Sequence, residues 1–164
     1  MSHDLILSHQ QQPCNKSCVS TCLAMLFNVP AQVMINRHHE EYWVKGVGLG
    51  TILERYGFTP FYPKVISRNP LTDLDYDAIV LVTVPSLNNP GGTHQIIAQF
   101  WEDEFKWHVI DPQRGTGSKF YTHDAAEVND QDCFLLSSWM ADAVIPIQQV
   151  LNARENFNPF VVPN

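Results

Sequence analysis

The sequence predicts an α+β fold in which N-terminal helices pack on an antiparallel sheet. Helical patterns occupy the first third of the chain, whereas apolar, β-branched runs come later. The run from Ala78 to Val84 is nearly all apolar, which is typical of a central strand. Because the helices come first and the strands afterwards, the pattern favours an α+β arrangement with an antiparallel sheet.

Three helices are predicted in the first part of the chain, at residues 18–28, about 30–42 and about 49–56. Ser17 is a suitable N-cap for the first helix, because its hydroxyl can accept a hydrogen bond from the first turn. Pro30 can open the second helix, where a missing N–H leaves no hydrogen bond unmade. Gly57 is expected to end the third helix.

Five strands are predicted, at 58–65, 78–84, about 94–101, about 104–110 and about 141–147, with a short helix after them at about 148–154. Pro60 and Pro63 weaken the first strand, because proline cannot donate to a β-ladder. The stretch from Ser86 to Thr93 is rich in Asn, Pro and Gly and is expected to be a loop. No internal repeat is present, so residues 1–164 are expected to form one domain.

The composition argues against two classes of function. The net charge of −7 argues against general nucleic-acid binding, because phosphate recognition needs clustered Lys and Arg. No run of about 18 apolar residues is present, so no membrane span is expected. With 45% hydrophobic and 16% charged residues, the chain has the composition of a globular protein.

The N-terminal residues and the cysteines bear on the compartment. The segment from Met1 to Ser8 has no basic region and too short an apolar stretch for a signal peptide. The protein is therefore expected in the cytoplasm, or outside the cell by a route that needs no signal peptide. In a reducing cytosol its four cysteines are expected to be free thiols rather than a disulfide framework.

Cys18 lies where a polar lead-in becomes the first predicted helix. A thiol at a helix N-terminus feels unpaired backbone N–H groups and the positive end of the helix dipole. Both favour the thiolate, which is the nucleophilic form of cysteine. The position therefore predicts a chemically activated thiol.

A predicted hairpin brings an imidazole and a carboxylate towards each other. If its polar turn is centred on Glu102 and Asp103, Trp101 pairs with Glu104, and His94 lies directly opposite Asp111. Opposed residues have Cβ atoms about 4.5–5.5 Å apart, close enough for a carboxylate to orient an imidazole. A slip of one residue would place the two side chains on opposite faces. A thiol, an imidazole and a carboxylate are the parts of a cysteine-nucleophile enzyme.

These residues carry a resemblance to a known family. A Gln shortly before a Cys at a helix start, a His opening a strand and an Asp in an Asp-Pro pair stand here as Gln12, Cys18, His94 and Asp111. Segment 22–25, with the sequence Cys-Leu-Ala-Met, matches the same pattern. Over roughly residues 10–147 the chain resembles the C39-type branch of the papain-like cysteine peptidases.

The resemblance implies a papain-like fold and a role for each residue. Cys18 would be the nucleophile, His94 its proton-transfer partner and Asp111 the group that orients the imidazole. Gln12 and the backbone N–H of Cys18 would donate to the developing oxyanion. Gln10 and Gln11 have the same chemistry as Gln12, and only the family's spacing favours Gln12 over them.

Two positions depart from the family pattern. Val19 stands where the family usually has Gly, and Ser17 where it usually has an acidic residue. A β-branched side chain beside the nucleophile could crowd the oxyanion pocket or narrow the substrate groove. Val19 is therefore expected to restrict the range of substrates.

Metal binding is an alternative for the cysteines, since Cys14, Cys18 and Cys22 recur every four residues. A structural zinc site usually takes four ligands that include a close pair and distant partners. Cys133 or His108 could complete such a set, but the sequence has no second close pair. The sequence thus predicts neither a metal nor a cofactor, and Cys22 is interpreted as a small buried residue. The run 38–41, His-His-Glu-Glu, is interpreted as a solvated helix face.

The function expected from these residues is a cysteine-dependent hydrolase, a peptidase that acts on a peptide or protein through an acyl-enzyme. An acyltransferase, a deamidase or a transglutaminase could use the same triad, because one thioester serves all of these reactions. A non-catalytic binding module on the same fold is a further alternative, for which Val19 is the best sequence hint. The sequence does not predict an oligomeric state.

Overall fold

The computed structural model describes residues 4–63 and 70–164. Its helices, in chain order, are α1 (Cys18–Phe27), α2 (Ala31–Met34), α3 (Glu40–Trp43), α4 (Leu49–Arg55) and α5 (Ile147–Glu155). A π-helical segment, Ile35–His39, joins α2 to α3, and 3₁₀ turns lie at Pro70–Asp73 and Ala125–Glu127. The predicted helices are present to within one or two residues at each end.

Four strands form an antiparallel sheet, β1 (Ala78–Pro85), β2 (Thr93–Trp101), β3 (Lys106–Ile110) and β6 (Met140–Pro146). Their order is β3-β2-β1-β6, so β1 is central, as its apolar run predicts. β4 (Phe120–Thr122) and β5 (Cys133–Leu135) form a small parallel sheet. The predicted α+β class with an antiparallel sheet is confirmed.

The predicted strand at 58–65 is wrong for the residues that the structure describes. Of residues 58–63, only Phe61 forms a β-bridge, to Val144, and 64 and 65 lie outside the described residues. Pro60 and Pro63 prevent a continuous ladder, because proline has no backbone N–H to donate to a neighbouring strand. The parallel pair β4 and β5 was not predicted, because each strand has only three residues and gives little periodic signal.

The antiparallel sheet separates two cores. The helix-side core contains α1 together with Leu81, Ile97 and Ala143 from three strands. The far-side core contains Val82 and Tyr121 among its buried residues. Every residue of α1 is buried, so this helix is held on all sides.

Each end of α1 has a defined environment. Ser17 occupies the predicted N-cap position, but its hydroxyl donates to the carbonyl of Cys14 (2.8 Å) and makes no capping bond to the helix. At the other end, Arg154 of α5 donates from Nε to the Leu26 carbonyl (2.9 Å) and from Nη2 to the Met25 carbonyl (3.2 Å). A cation at a helix C-terminus satisfies free carbonyls and complements the helix dipole.

The interpretation of segment 38–41 as a solvated face is wrong for His38. Its side chain is fully buried, with Nδ1 2.5 Å from Glu41 Oε1 and Nε2 2.6 Å from the Tyr56 hydroxyl. Arg55 in turn donates to Glu41 Oε2 (2.8 Å). The network ties the π-helical segment to α4, which a helical-face pattern alone does not reveal.

Stability is expected to fall in mild acid because of His38. Burial lowers the pKa of His38 below 6.5, against the opposing effect of Glu41. The unfolded chain therefore binds a proton that the folded chain excludes, so the free energy of unfolding decreases as pH falls below about 6.5. Urea denaturation at a series of pH values should give a shallower pH slope for His38→Gln than for the wild type. Equal slopes would contradict this prediction.

Within the described ranges, no single helix is long and apolar enough to cross a membrane. Helices 18–27 and 31–43 pass a test of length and composition only as a pair, and they are bent by 115° at their junction.

Candidate active site

His94 and Asp111 are in direct contact. His94 Nε2 lies 2.6 Å from Asp111 Oδ1, and both side chains are buried. The predicted contact is present, but the predicted register is wrong. Trp101 pairs with Lys106 rather than with Glu104, so the ladder is shifted by two residues. A shift of two keeps both side chains on one face of the sheet, and the contact is preserved.

Asp111 is held by three N–H groups. Besides His94, its Oδ1 accepts from the backbone N–H of Gln113 (2.8 Å) and its Oδ2 from that of Tyr121 (2.8 Å). The carboxylate is 1% exposed, so these bonds replace its hydration. Its orientation is therefore fixed before any ligand arrives.

Cys18 is the first residue of α1, and a hydrogen bond with its thiol is among the causes that raise the pKa of the same imidazole. Asp111 occupies Nε2 of His94, which leaves Nδ1 for the thiol. Burial alone would lower the pKa of His94, but hydrogen bonds with Asp111 and with Cys18 outweigh it and raise the pKa to about 9. The imidazole is therefore protonated at neutral pH, which favours an ion pair with a thiolate.

Gln12 lies beside these three residues. Its backbone N–H donates to the carbonyl of Pro112 (2.8 Å), the residue after Asp111. Its Nε2 donates to the Cys14 carbonyl (2.8 Å), and its buried Oε1 has no hydrogen-bond partner within the described residues. An amide nitrogen has two hydrogens, so one remains for a ligand. The N–H of Cys18, at the first helical position, is a second donor because no earlier turn supplies its acceptor.

The structure distinguishes Gln12 from Gln10 and Gln11 by its burial and its hydrogen bonds. Gln10 uses both ends of its amide, donating to the Val29 carbonyl (2.6 Å) and accepting from the Ala31 N–H (2.8 Å). Gln11 is exposed, whereas Gln12 is buried. Of the three, only Gln12 combines burial at the site with a free donor.

The other thiols lie in different surroundings. Cys22 is fully buried, and its thiol donates to the Gln95 carbonyl (3.5 Å), in agreement with its interpretation as a small buried residue. Cys14 is exposed, and a hydrogen bond from Ser17 lowers its pKa. Among the described residues, no three His, Cys, Asp or Glu side chains are grouped as metal ligands.

Val19 packs in the helix-side core and is 4% exposed. Its side chain therefore contributes to the packing of α1 and belongs to the residue next to Cys18. Val19→Gly would remove this buried side chain, so its cost exceeds the roughly 1 kcal/mol of a helical glycine alone. The effect of Val19 on substrate range stays a prediction.

Several residues near the site were not predicted from the sequence. Gln113 and Tyr121 position Asp111 through backbone N–H groups, which carry no side-chain signature. The run of Phe, Tyr and Thr that forms β4 was the available signal, because such residues favour strands. Asp142 is linked to α1 through Gln95, whose side chain donates to the carboxylate (3.1 Å) and whose carbonyl accepts the Cys22 thiol (3.5 Å). A lone carboxylate within the apolar run of β6 was the signal there.

The chain matches no protein-family model, no curated protein and no solved structure.

Proposed function

We propose that this protein is a papain-like, cysteine-dependent hydrolase related to the C39-type branch, and that it cleaves peptide bonds through an acyl-enzyme. The observation that carries the proposal is the arrangement at His94. Its Nε2 lies 2.6 Å from a fixed carboxylate, and its pKa is raised to about 9 by Asp111 and Cys18 against the effect of burial. Nucleophile, base and orienting group in mutual contact are the requirement for nucleophilic catalysis by a thiol.

In the first step, the Cys18 sulfur attacks the carbonyl carbon of the scissile bond. The C–S bond forms as the carbonyl π electrons move to oxygen. The Nε2–H of Gln12 and the N–H of Cys18 donate to that oxyanion. As the tetrahedral species collapses, the C–N bond breaks and His94 gives its Nδ1 proton to the leaving nitrogen. The products are an amine and a thioester on Cys18.

In the second step, water releases the acyl group. Neutral His94 accepts a proton from the water as its oxygen attacks the thioester carbon. The C–S bond then breaks, and Cys18 leaves as a thiolate beside the imidazolium. The products are a carboxylic acid and the starting ion pair. Asp111 does not exchange its proton state, since it acts by holding Nε2–H in one orientation.

The test combines two product assays on one peptide library. Wild-type protein is expected to generate new amino termini, detected by mass spectrometry, and Cys18→Ser is expected to generate none. Cys14→Ser is the matched control, because that thiol is exposed and should leave cleavage unchanged. Ammonia released without new amino termini would replace the peptidase with a deamidase or a transglutaminase. Equal cleavage by Cys18→Ser would contradict the proposal entirely.

A further inference from the structure

A β-bulge in β6 changes the face to which its side chains point. Leu81 of β1 pairs with Ala143 and the next residue, Val82, pairs with Ala141, so Asp142 is the extra, unpaired residue. Ala143 packs in the helix-side core and Ala141 in the far-side core, although alternate residues of a regular strand share a face. Bulges of this kind redirect a side chain and are frequent beside functional sites.

The bulge directs the Asp142 carboxylate to the helix side of the sheet. Its Oδ2 accepts from the Thr83 hydroxyl (2.6 Å) and from Gln95 Nε2 (3.1 Å). Thr83 and Gln95 are a cross-strand pair, two residues along from Leu81 and Ile97 of the helix-side core. The carboxylate therefore lies on the same face of the sheet as α1.

Asp142 has no cationic partner in the part of the chain that the structure describes. Within residues 4–63 and 70–164, no Lys, Arg or His forms an ion pair with it. Its second oxygen, Oδ1, accepts no hydrogen bond from these residues and is not fully buried. A partly buried carboxylate is usually paired, because removing a charge from water is costly. This one has an oxygen without a hydrogen-bond partner among the described residues.

Contacts connect Asp142 to the neighbourhood of Cys18. Gln95, which binds the carboxylate through its side chain, accepts the Cys22 thiol at its carbonyl (3.5 Å), one turn of α1 beyond Cys18. On α3, half-buried Tyr42 packs against the helix-side core, on the side of the sheet where the Asp142 carboxylate lies. Burial and then the charges of Cys18 and Asp142 raise the pKa of Tyr42. An aromatic ring beside a carboxylate is a favourable environment for an organic cation.

We propose that Asp142, with Tyr42, forms a substrate subsite beside Cys18 that accepts a cationic side chain, the ammonium of lysine or the guanidinium of arginine. The role of this subsite in substrate recognition rests on the proposed function, whereas the binding of a cation at Asp142 does not. The net charge of −7 favours the approach of a basic segment to this site. The energetic argument is that the substrate would supply the counter-ion that the described residues do not provide.

The test uses matched electrophiles. Chloroacetamides with tails of increasing length, ending in an ammonium, a guanidinium or a neutral methyl group, are compared by their rate of alkylation at Cys18, measured on the Cys18 peptide. At the best tail length the cationic compounds should react about tenfold faster than the neutral ones. Asp142→Asn should abolish that ratio. Glu155→Gln, which removes an exposed carboxylate on α5, should retain it.

A pH series on the wild type gives a second measurement that needs no variant. Burial raises the pKa of Asp142, against hydrogen bonds from Thr83 and Gln95. The ratio of the cationic to the neutral alkylation rate should therefore fall as acid protonates this carboxyl group. Changes in the protonation of Cys18 or His94 would affect both kinds of compound equally, so they cancel in the ratio. Cys22 on α1 and Tyr42 on α3, the other titratable groups near Asp142, remain uncharged in that range because their pKa values are raised.

Two outcomes would overturn the subsite while leaving the nucleophile intact. They are equal rates for cationic and neutral compounds, and a cationic preference that persists in Asp142→Asn. If Cys18 reacts with no compound, the proposed function fails and the subsite is judged by binding alone. Unreactive acetamide analogues should then shift the NMR signals of Asp142 and Tyr42 only when the tail is cationic. Absence of such shifts would overturn the subsite.

Discussion

His94→Ala is expected to slow the alkylation of Cys18 by iodoacetamide at neutral pH by about 10–100-fold, because a thiol without an activating cation is only a few per cent thiolate at that pH. Burial lowers the pKa of His94, but hydrogen bonds with Asp111 and Cys18 outweigh it and raise the pKa to about 9, so the proposed mechanism has an imidazolium beside the sulfur. Without it, Cys18 would be a thiol in a nearly closed site with an exposed fraction of 6%. Only the dipole of α1 would still favour the thiolate.

The measurement must resolve each cysteine, because Cys14 is exposed, has a lowered pKa from its bond with Ser17, and will also alkylate. Peptide-level mass spectrometry over a time course separates the two rates. His108→Ala is the matched control, since that ring lies tilted against His123, with centroids 4.3 Å apart, on β3. Wild-type reactivity of Cys18 in His94→Ala would show that the imidazole does not activate the thiol.

Asp111→Asn is expected to lower turnover by about 10²-fold or more, and to lower the pKa of His94 from about 9. The amide oxygen can still accept from His94, but the negative charge that stabilises the imidazolium is lost. The amide nitrogen would face the N–H of Tyr121, which then loses its acceptor. One buried N–H without a partner costs about 1–3 kcal/mol of stability, so the variant should fold with a reduced unfolding free energy.

NMR titration of His94 measures the pKa directly, and urea denaturation measures the stability. Asp111→Ala is the stronger variant, because it leaves all three N–H donors at this position without an acceptor. If Asp111→Asn and His94→Ala both retain wild-type reactivity of Cys18 across the pH range, the triad assignment is wrong. An unchanged titration of His94 in Asp111→Asn would remove the carboxylate from the mechanism.

The hairpin illustrates why a contact can be predicted more securely than a register. The loop spans Glu102–Phe105, one residue further along than the turn residues suggested, and Phe105 adopts a left-handed φ of 47° that is uncommon for a bulky residue. Moving the centre of a loop by one residue moves the pairing by two. Side chains alternate with a period of two, so His94 and Asp111 stay on one face.

The burial of His38 and the β-bulge at Asp142 could not be predicted from the sequence. His38 lies in a polar run, and its burial follows from partners on two segments, Glu41 and Tyr56, that a helical pattern does not bring together. Asp142 lies in an apolar strand, and the alternation of side chains along a strand predicts the face of each residue only where no bulge interrupts the pairing, as one does here. Both cases depend on long-range geometry, which periodicity does not encode. Cys18 was placed from sequence alone because helix starts are local features.

The cap that Arg154 places on α1 has a consequence for the order in which the site is completed during synthesis. The helix that carries Cys18 is synthesised before the guanidinium that occupies its last carbonyls, which follows more than a hundred residues later. His94 and Asp111 also follow long after the thiol. During synthesis Cys18 therefore precedes the partners that would activate it under the proposed function, so an activated thiol would form only once these later segments have folded onto α1.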